Sequence, residues 1–177
     1  MYLHQAISLL AIALLLSCND DLPVPICEDC NFTCLDTNAT EVFTNSCQDD
    51  WECNFKTKSQ SKVDPEEREG INNGDNISFQ FIYSTEGDPI LADDEFTGIL
   101  VFETNTSAES FLAENAQLKE MNAAFRRICF CDQTDFIEIE FGCLQGKKVE
   151  DSWFVQGELT VLFSDTALIL RFDAFFS

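Results

Sequence analysis

From Trp51 onward the chain alternates: Trp51, Cys53, Phe55 and Thr57 fall on one side and Glu52, Asn54, Lys56 and Lys58 on the other, the period of a half-buried strand. Ile77, Phe79, Phe81 and Tyr83, interleaved with Ser78, Gln80 and Ile82, predict a second strand, and a third runs from Thr97 to Glu103. Two polar stretches read as loops: Asp64 to Asp75, with Pro65, Gly70 and Asn73-Gly74, and Glu86 to Glu95. Between Ser107 and Asn122 the alternation stops. Phe111, Leu112, Asn115, Leu118 and Met121 follow helical spacing, so one α-helix is predicted there, capped by Ser107, with Ser110 where a capping box would hold Glu. Four strand-like runs follow, from Ala124 to Cys131, Phe136 to Gly142, Ser152 to Ser164 and Thr166 to Phe176, joined by short connectors. The last two, with Ser164-Asp165 between them, read as a hairpin. The expected fold is mainly β: an antiparallel sandwich or open barrel with one packed α-helix and a disulfide-stapled N-terminal segment.

Composition narrows this picture. With 177 residues the chain has the size of one domain, and 17 Phe with two Trp supply large side chains for its core. The formal charge of −22 repels phosphate backbones and anionic headgroups, which argues against nucleic acid as a partner and against a basic membrane-binding face.

The region before Trp51 is different. Ala6 to Leu16 is an apolar run interrupted only by Ser8, too short for the roughly 20 residues of a spanning helix and matched to the h-region of a signal peptide. It ends in Leu15-Leu16-Ser17-Cys18, followed by Asn19-Asp20-Asp21. The tetrapeptide resembles the lipobox of bacterial lipoproteins, and the acidic run behind it resembles the export signal of Bacteroidota-type surface lipoproteins. The resemblance implies that residues 1–17 are a signal peptide and that Cys18 carries the lipid. It also implies an acylated tether at 18–26, display on the outer membrane or cell surface, and membrane contact through the lipid alone. The n-region departs from that family in holding no Lys or Arg. Two or more acyl chains, at about 0.8 kcal/mol for each buried methylene, anchor stably.

Removal of residues 1–17 has two chemical consequences. The only histidine, His4, is lost, so triad hydrolases and histidine-ligated zinc enzymes are excluded. Setting Cys18 aside for lipid also leaves an even set of eight cysteines: Cys27, Cys30, Cys34, Cys47 and Cys53 in front, and Cys129, Cys131 and Cys143 behind. In an exported chain this set reads as disulfides. Full pairing of five with three requires at least one bridge between the groups, and Cys129 and Cys131, two apart on a strand, should bond separate partners. Cys27-Glu28-Asp29-Cys30 has redox-motif spacing, but its two acids oppose thiolate formation, and export favours oxidation over a zinc site on Cys27, Cys30, Cys34 and Cys47. The cysteine-rich region 27–53 lacks apolar periodicity and depends on bridges, and 27–177 is read as one β-rich domain.

Three sets of residues are candidates for chemistry. Asp88, Asp93, Asp94 and Glu95 offer hard oxygen ligands for calcium, the one cofactor candidate, without EF-hand spacing. Glu138 and Glu140 share one face of a strand, where they are either a solvated face or an acid/base pair. Asn31, Asn38, Asn76 and Asn105 head N-glycosylation acceptor patterns, which matter only in a eukaryotic host, and Asp165-Thr166-Ala167 resembles the short O-glycosylation motif of the bacterial group named above. The leading expectation is a non-enzymatic surface lipoprotein acting as a binding, adhesion or accessory module toward a protein or glycan. The alternatives are a carboxylate-only enzyme such as a glycan hydrolase and a eukaryotic secreted disulfide-rich glycoprotein. If the eight cysteines pair fully, the intact mass of the exported protein will be unchanged by alkylation without reductant; two or more alkylated thiols would contradict four bridges.

Overall fold

The structure, a computed structural model, describes Cys47 and residues 51–85, 96–129, 135–163 and 167–177. Nine strands run through these residues: β1 (Trp51–Val63), β2 (Ile71–Thr85), β3 (Thr97–Asn105), β4 (Ser110–Glu114), β5 (Ala124–Ile128), β6 (Ile137–Glu138), β7 (Phe141–Val149), β8 (Ser152–Leu162) and β9 (Ala167–Phe176). They form two antiparallel sheets, one of order β1-β2-β3-β5-β6 and the other β4-β7-β8-β9. The fold is therefore mainly β, as the alternation predicts. Among the described residues no helix is long and apolar enough to cross a membrane.

Alternation places Phe79, Phe81 and Tyr83 of β2 and Leu100 and Phe102 of β3 on one face, all fully buried. They meet Trp153, Val155, Phe172 and Phe176 of the other sheet in one core cluster. The rings interlock: Phe79 stacks on Phe102 at 4.8 Å and meets Trp153 edge-on at 5.4 Å and Phe176 at 5.7 Å. Phe55 of β1 reaches Phe176 at 5.1 Å, and beside this contact the Thr57 N–H donates to the Ser177 carbonyl at 3.1 Å, joining the sheets along one seam.

Three glycines let rings this large lie flat between paired strands. Gly98 pairs with Tyr83, Gly146 with Phe111 and Gly157 with Phe172. A Cβ at Gly98 or at Gly146 would sit 2.3 Å from the facing ring, and at Gly157 2.6 Å. The rings occupy the space of the missing side chains, the arrangement known as aromatic rescue of a strand glycine.

The predicted helix over 107–122 is not present. Ser110–Glu114 is instead the edge strand β4, paired with Lys147–Cys143 of β7, so Phe111 and Ala113 turn inward while Leu112 is 58% exposed. A 3₁₀ turn, Asn115–Lys119, follows; its cap is Glu114, whose N–H donates to Gln117 Oε1 at 3.1 Å, and not Ser107. Positive φ at Asn115 (48°) and Asn122 (48°) breaks the backbone on both sides. The helical spacing of Leu118 and Met121 arises because both drop into the core from this turn, at 0% and 8% exposure. Strand pairing and burial of the Phe111 ring outweigh the helix preference of a short segment.

Two further departures concern loops. The loop expected over 64–75 ends at Gly70, and β2 begins at Ile71 with an irregularity where Ser61 pairs with both Asn73 and Asn76. Gln60, at φ 52°, shifts the β1 alternation, so Val63 lands on the outer face of the five-stranded sheet beside Ile99, Val101 and Ala124. The connector expected after Gly142 is in fact β7, an interior strand.

Of the cysteine framework, Cys47 bonds Cys53 with Cα atoms 6.3 Å apart, and Cys129 and Cys143 each take part in a disulfide. Cys18, Cys27, Cys30, Cys34 and Cys131 lie outside the described residues, as do the signal peptide, the tether and most of region 27–53.

One buried charge is built into the outer layer. Glu103, 7% exposed, accepts from the Val63 N–H at 2.5 Å, from Asn76 Nδ2 at 3.0 Å and from Asn122 Nδ2 at 2.8 Å. In Glu103→Gln an amide replaces one oxygen and faces at least one of these donors. A loss of about 1–3 kcal/mol is expected, read as a lower urea midpoint at unchanged slope.

Candidate functional site

Two half-open grooves meet at Glu138. The first, of about 380 Å³, has Val63, Ala124 and Phe136 as apolar floor and Lys119, Asn122 and Glu138 as polar rim. The second, of about 310 Å³, lies between Ile137, Phe141 and Leu162, with Glu138, Glu140 and Thr160 around them. The site exists because β6 is only two residues long and pairs with β5 alone, at Ala124 and Phe125. The chain then crosses to the other sheet, with Ile139 fully buried between the exposed Glu138 and Glu140. The strand expected over 136–142 is thus broken between the two glutamates, Glu138 closing β6 and Glu140 lying outside it, although both line the second groove.

The ridge between the grooves is an ion pair. Lys119 Nζ lies 2.8 Å from Glu138 Oε1 and donates to Oε2 at 3.2 Å. The hydrogen bond to Glu138, then its charge, raises the Lys119 pKa above the ordinary lysine value; slight desolvation works against this, and Glu140 adds a smaller raising effect. Both partners are well exposed, so the pair orients side chains more than it stabilises the fold. Any stabilisation is present below the unfolded lysine value, roughly 10.4, and disappears as pH rises through the folded one.

Chemically, the grooves offer carboxylates, an ammonium, an amide and a hydroxyl above apolar floors. That suits a ligand with hydrogen-bonding groups on one side and an apolar face on the other. Glu138 and Glu140 come from one short segment, whereas an acid/base pair flanks its bond from opposite sides. Lys119, Asn122 and Phe136 were not legible as site residues, since no local motif joins them to Glu138.

The proposed calcium ligands Asp88, Asp93, Asp94 and Glu95 lie outside the described residues, as do Asn31, Asn38, Asp165 and Thr166. Among the described residues no group of three or more His, Cys, Asp or Glu is placed to hold a metal ion. The Asn76 side chain is held by Glu103, and Asn105 forms a turn in which Oδ1 accepts from the Ser107 N–H at 2.9 Å and from its hydroxyl at 2.7 Å. Comparison with protein-family models, curated proteins and solved structures returns no match.

Substituting Glu138→Gln should lower the Lys119 titration midpoint, followed by NMR of its side chain, and Glu140→Gln should lower it less. An unchanged midpoint in Glu138→Gln would show that the pair does not form in solution.

Proposed function

We propose that this chain is a lipid-anchored surface protein whose β-sandwich works as a non-enzymatic binding, adhesion or accessory module. The observation that carries the reading is Leu15-Leu16-Ser17-Cys18 at the end of an apolar run, with Asp20-Asp21 behind it. Acylation of Cys18 tethers the domain, Pro23 and Pro25 keep the spacer extended, and the acidic surface stays in solvent. The loss of His4 with the signal peptide removes imidazole chemistry, which favours recognition over catalysis. The Glu138 grooves are the surface on which a protein segment or glycan would be held, its apolar face on Phe136 or Phe141 and its polar groups on Glu138, Glu140 and Asn122.

Mass spectrometry of the mature N-terminus tests the reading. An acylated Cys18 at residue one of the mature chain is expected, and Cys18→Ser should move the protein from the membrane to the soluble fraction. An unmodified N-terminus at another position would overturn it.

A further inference from the structure

Three residues along β5 from the Ala124 that pairs with Glu138, Arg127 carries one buried donor and Tyr83 another, and both lack a partner among the described residues. Cys53, Tyr83, Gly98 and Arg127 form one row across β1, β2, β3 and β5. Because Gly98 has no side chain, the far end of the Tyr83 ring lies over it; a Cβ there would be 2.7 Å from the hydroxyl oxygen. The hydroxyl thus points across β3 toward the strand that carries Arg127. Tyr83 is fully buried, and among the described residues neither its hydroxyl nor Arg127 Nε has a hydrogen-bond partner. Each buried polar group left unpaired is destabilising, and these two flank Gly98 on the same row, each with a proton to donate.

The surroundings define the acceptor. The Arg127 guanidinium is fixed by rings: its Cζ lies 4.3 Å from the centroid of Phe163 and 5.8 Å from that of Phe96. Trp51 stacks on Tyr83 at 4.0 Å and Phe96 meets it edge-on at 5.8 Å, and Trp51, Phe96 and Phe163 are each only partly buried, so the rim is aromatic and reachable. The neighbouring Arg126 Nε is likewise without a partner among the described residues, but that side chain is anchored through its Nη1, which donates to the Arg68 carbonyl at 3.2 Å. Burial raises the Tyr83 pKa, only partly opposed by the charge of Arg127, so the hydroxyl stays protonated and keeps a proton to donate.

We infer that Tyr83 and Arg127 form an oxyanion site for a small monocarboxylate with an apolar or aromatic body, bound with its carboxylate on the two donors and its body against Phe96 and Phe163. A planar guanidinium matches a carboxylate in two-point geometry, and the Tyr83 hydroxyl supplies a third donor. In a chain of formal charge −22 a monoanion is admitted at lower electrostatic cost than a doubly charged phosphate. The site shares no residue with the Glu138 grooves and stands or falls separately from the lipoprotein reading.

Benzoate is the probe, titrated into the full chain and followed by NMR at Arg127 Nε–H and at the Gly98 and Tyr83 amides, with benzamide and inorganic phosphate as comparison arms. Saturable shifts with benzoate, weaker ones with phosphate and none with benzamide are expected. Tyr83→Phe keeps the ring and removes only the unpaired hydroxyl. It should therefore fold with an unchanged or raised melting temperature while weakening benzoate by roughly tenfold, and Arg127→Gln should weaken it by at least as much. Absence of saturation by benzoate, or equal affinity in wild type and Tyr83→Phe, would overturn the proposal.

Discussion

The ring of Phe79 is the contact on which the two sheets depend. From β2 it touches Phe102 on β3, Phe111 on β4, Trp153 on β8 and Phe176 on β9, at centroid separations between 4.8 and 5.7 Å. One fully buried side chain thereby ties together both sheets and three of the four strands of the second. Because stacked and edge-on rings tolerate only narrow ranges of offset, this cluster sets how far apart and in what register the sheets lie.

Space for those rings comes from glycine. Gly98, Gly146 and Gly157 each face an aromatic partner in the ladder, so aromatic size on one strand is matched by absence of a side chain on the next. At Gly98 the same device brings the Tyr83 hydroxyl over β3 toward Arg127, linking a packing solution to the oxyanion site. On the outer face the β1 irregularity turns Val63 toward Ile99 and Val101, and Glu103 holds its backbone N–H. Val63 and Ala124 of that small outer layer also floor the first groove beside Glu138.

Strands with one buried face were legible because burial writes a period of two into the sequence, as at Phe79, Phe81 and Tyr83. β7 was not, since Gly142 and Gly146 erase apolar positions and Lys147-Lys148 ends in solvent. β4 was misread because a short strand followed by a 3₁₀ turn places Phe111, Leu118 and Met121 at spacings that also suit a helix. Of the grooves, only Glu138 and Glu140 stood out beforehand. Lys119, Asn122 and Phe136 reach them through strand order, which no local pattern encodes.

The sequence by itself determined the mainly β class, most strand positions and the acid excess, because these follow from local periodicity and composition. From it too comes the expectation of an exported, Cys18-anchored chain. Only the tertiary structure decided that residues 110–114 join a sheet, that Phe rings lie in the gaps left by distant glycines, and that the Tyr83 hydroxyl and Arg127 Nε come onto one row without a partner among the described residues. Those outcomes depend on pairing between strands far apart in sequence, where the energy of burying a ring against its partner exceeds the small preferences written along the chain.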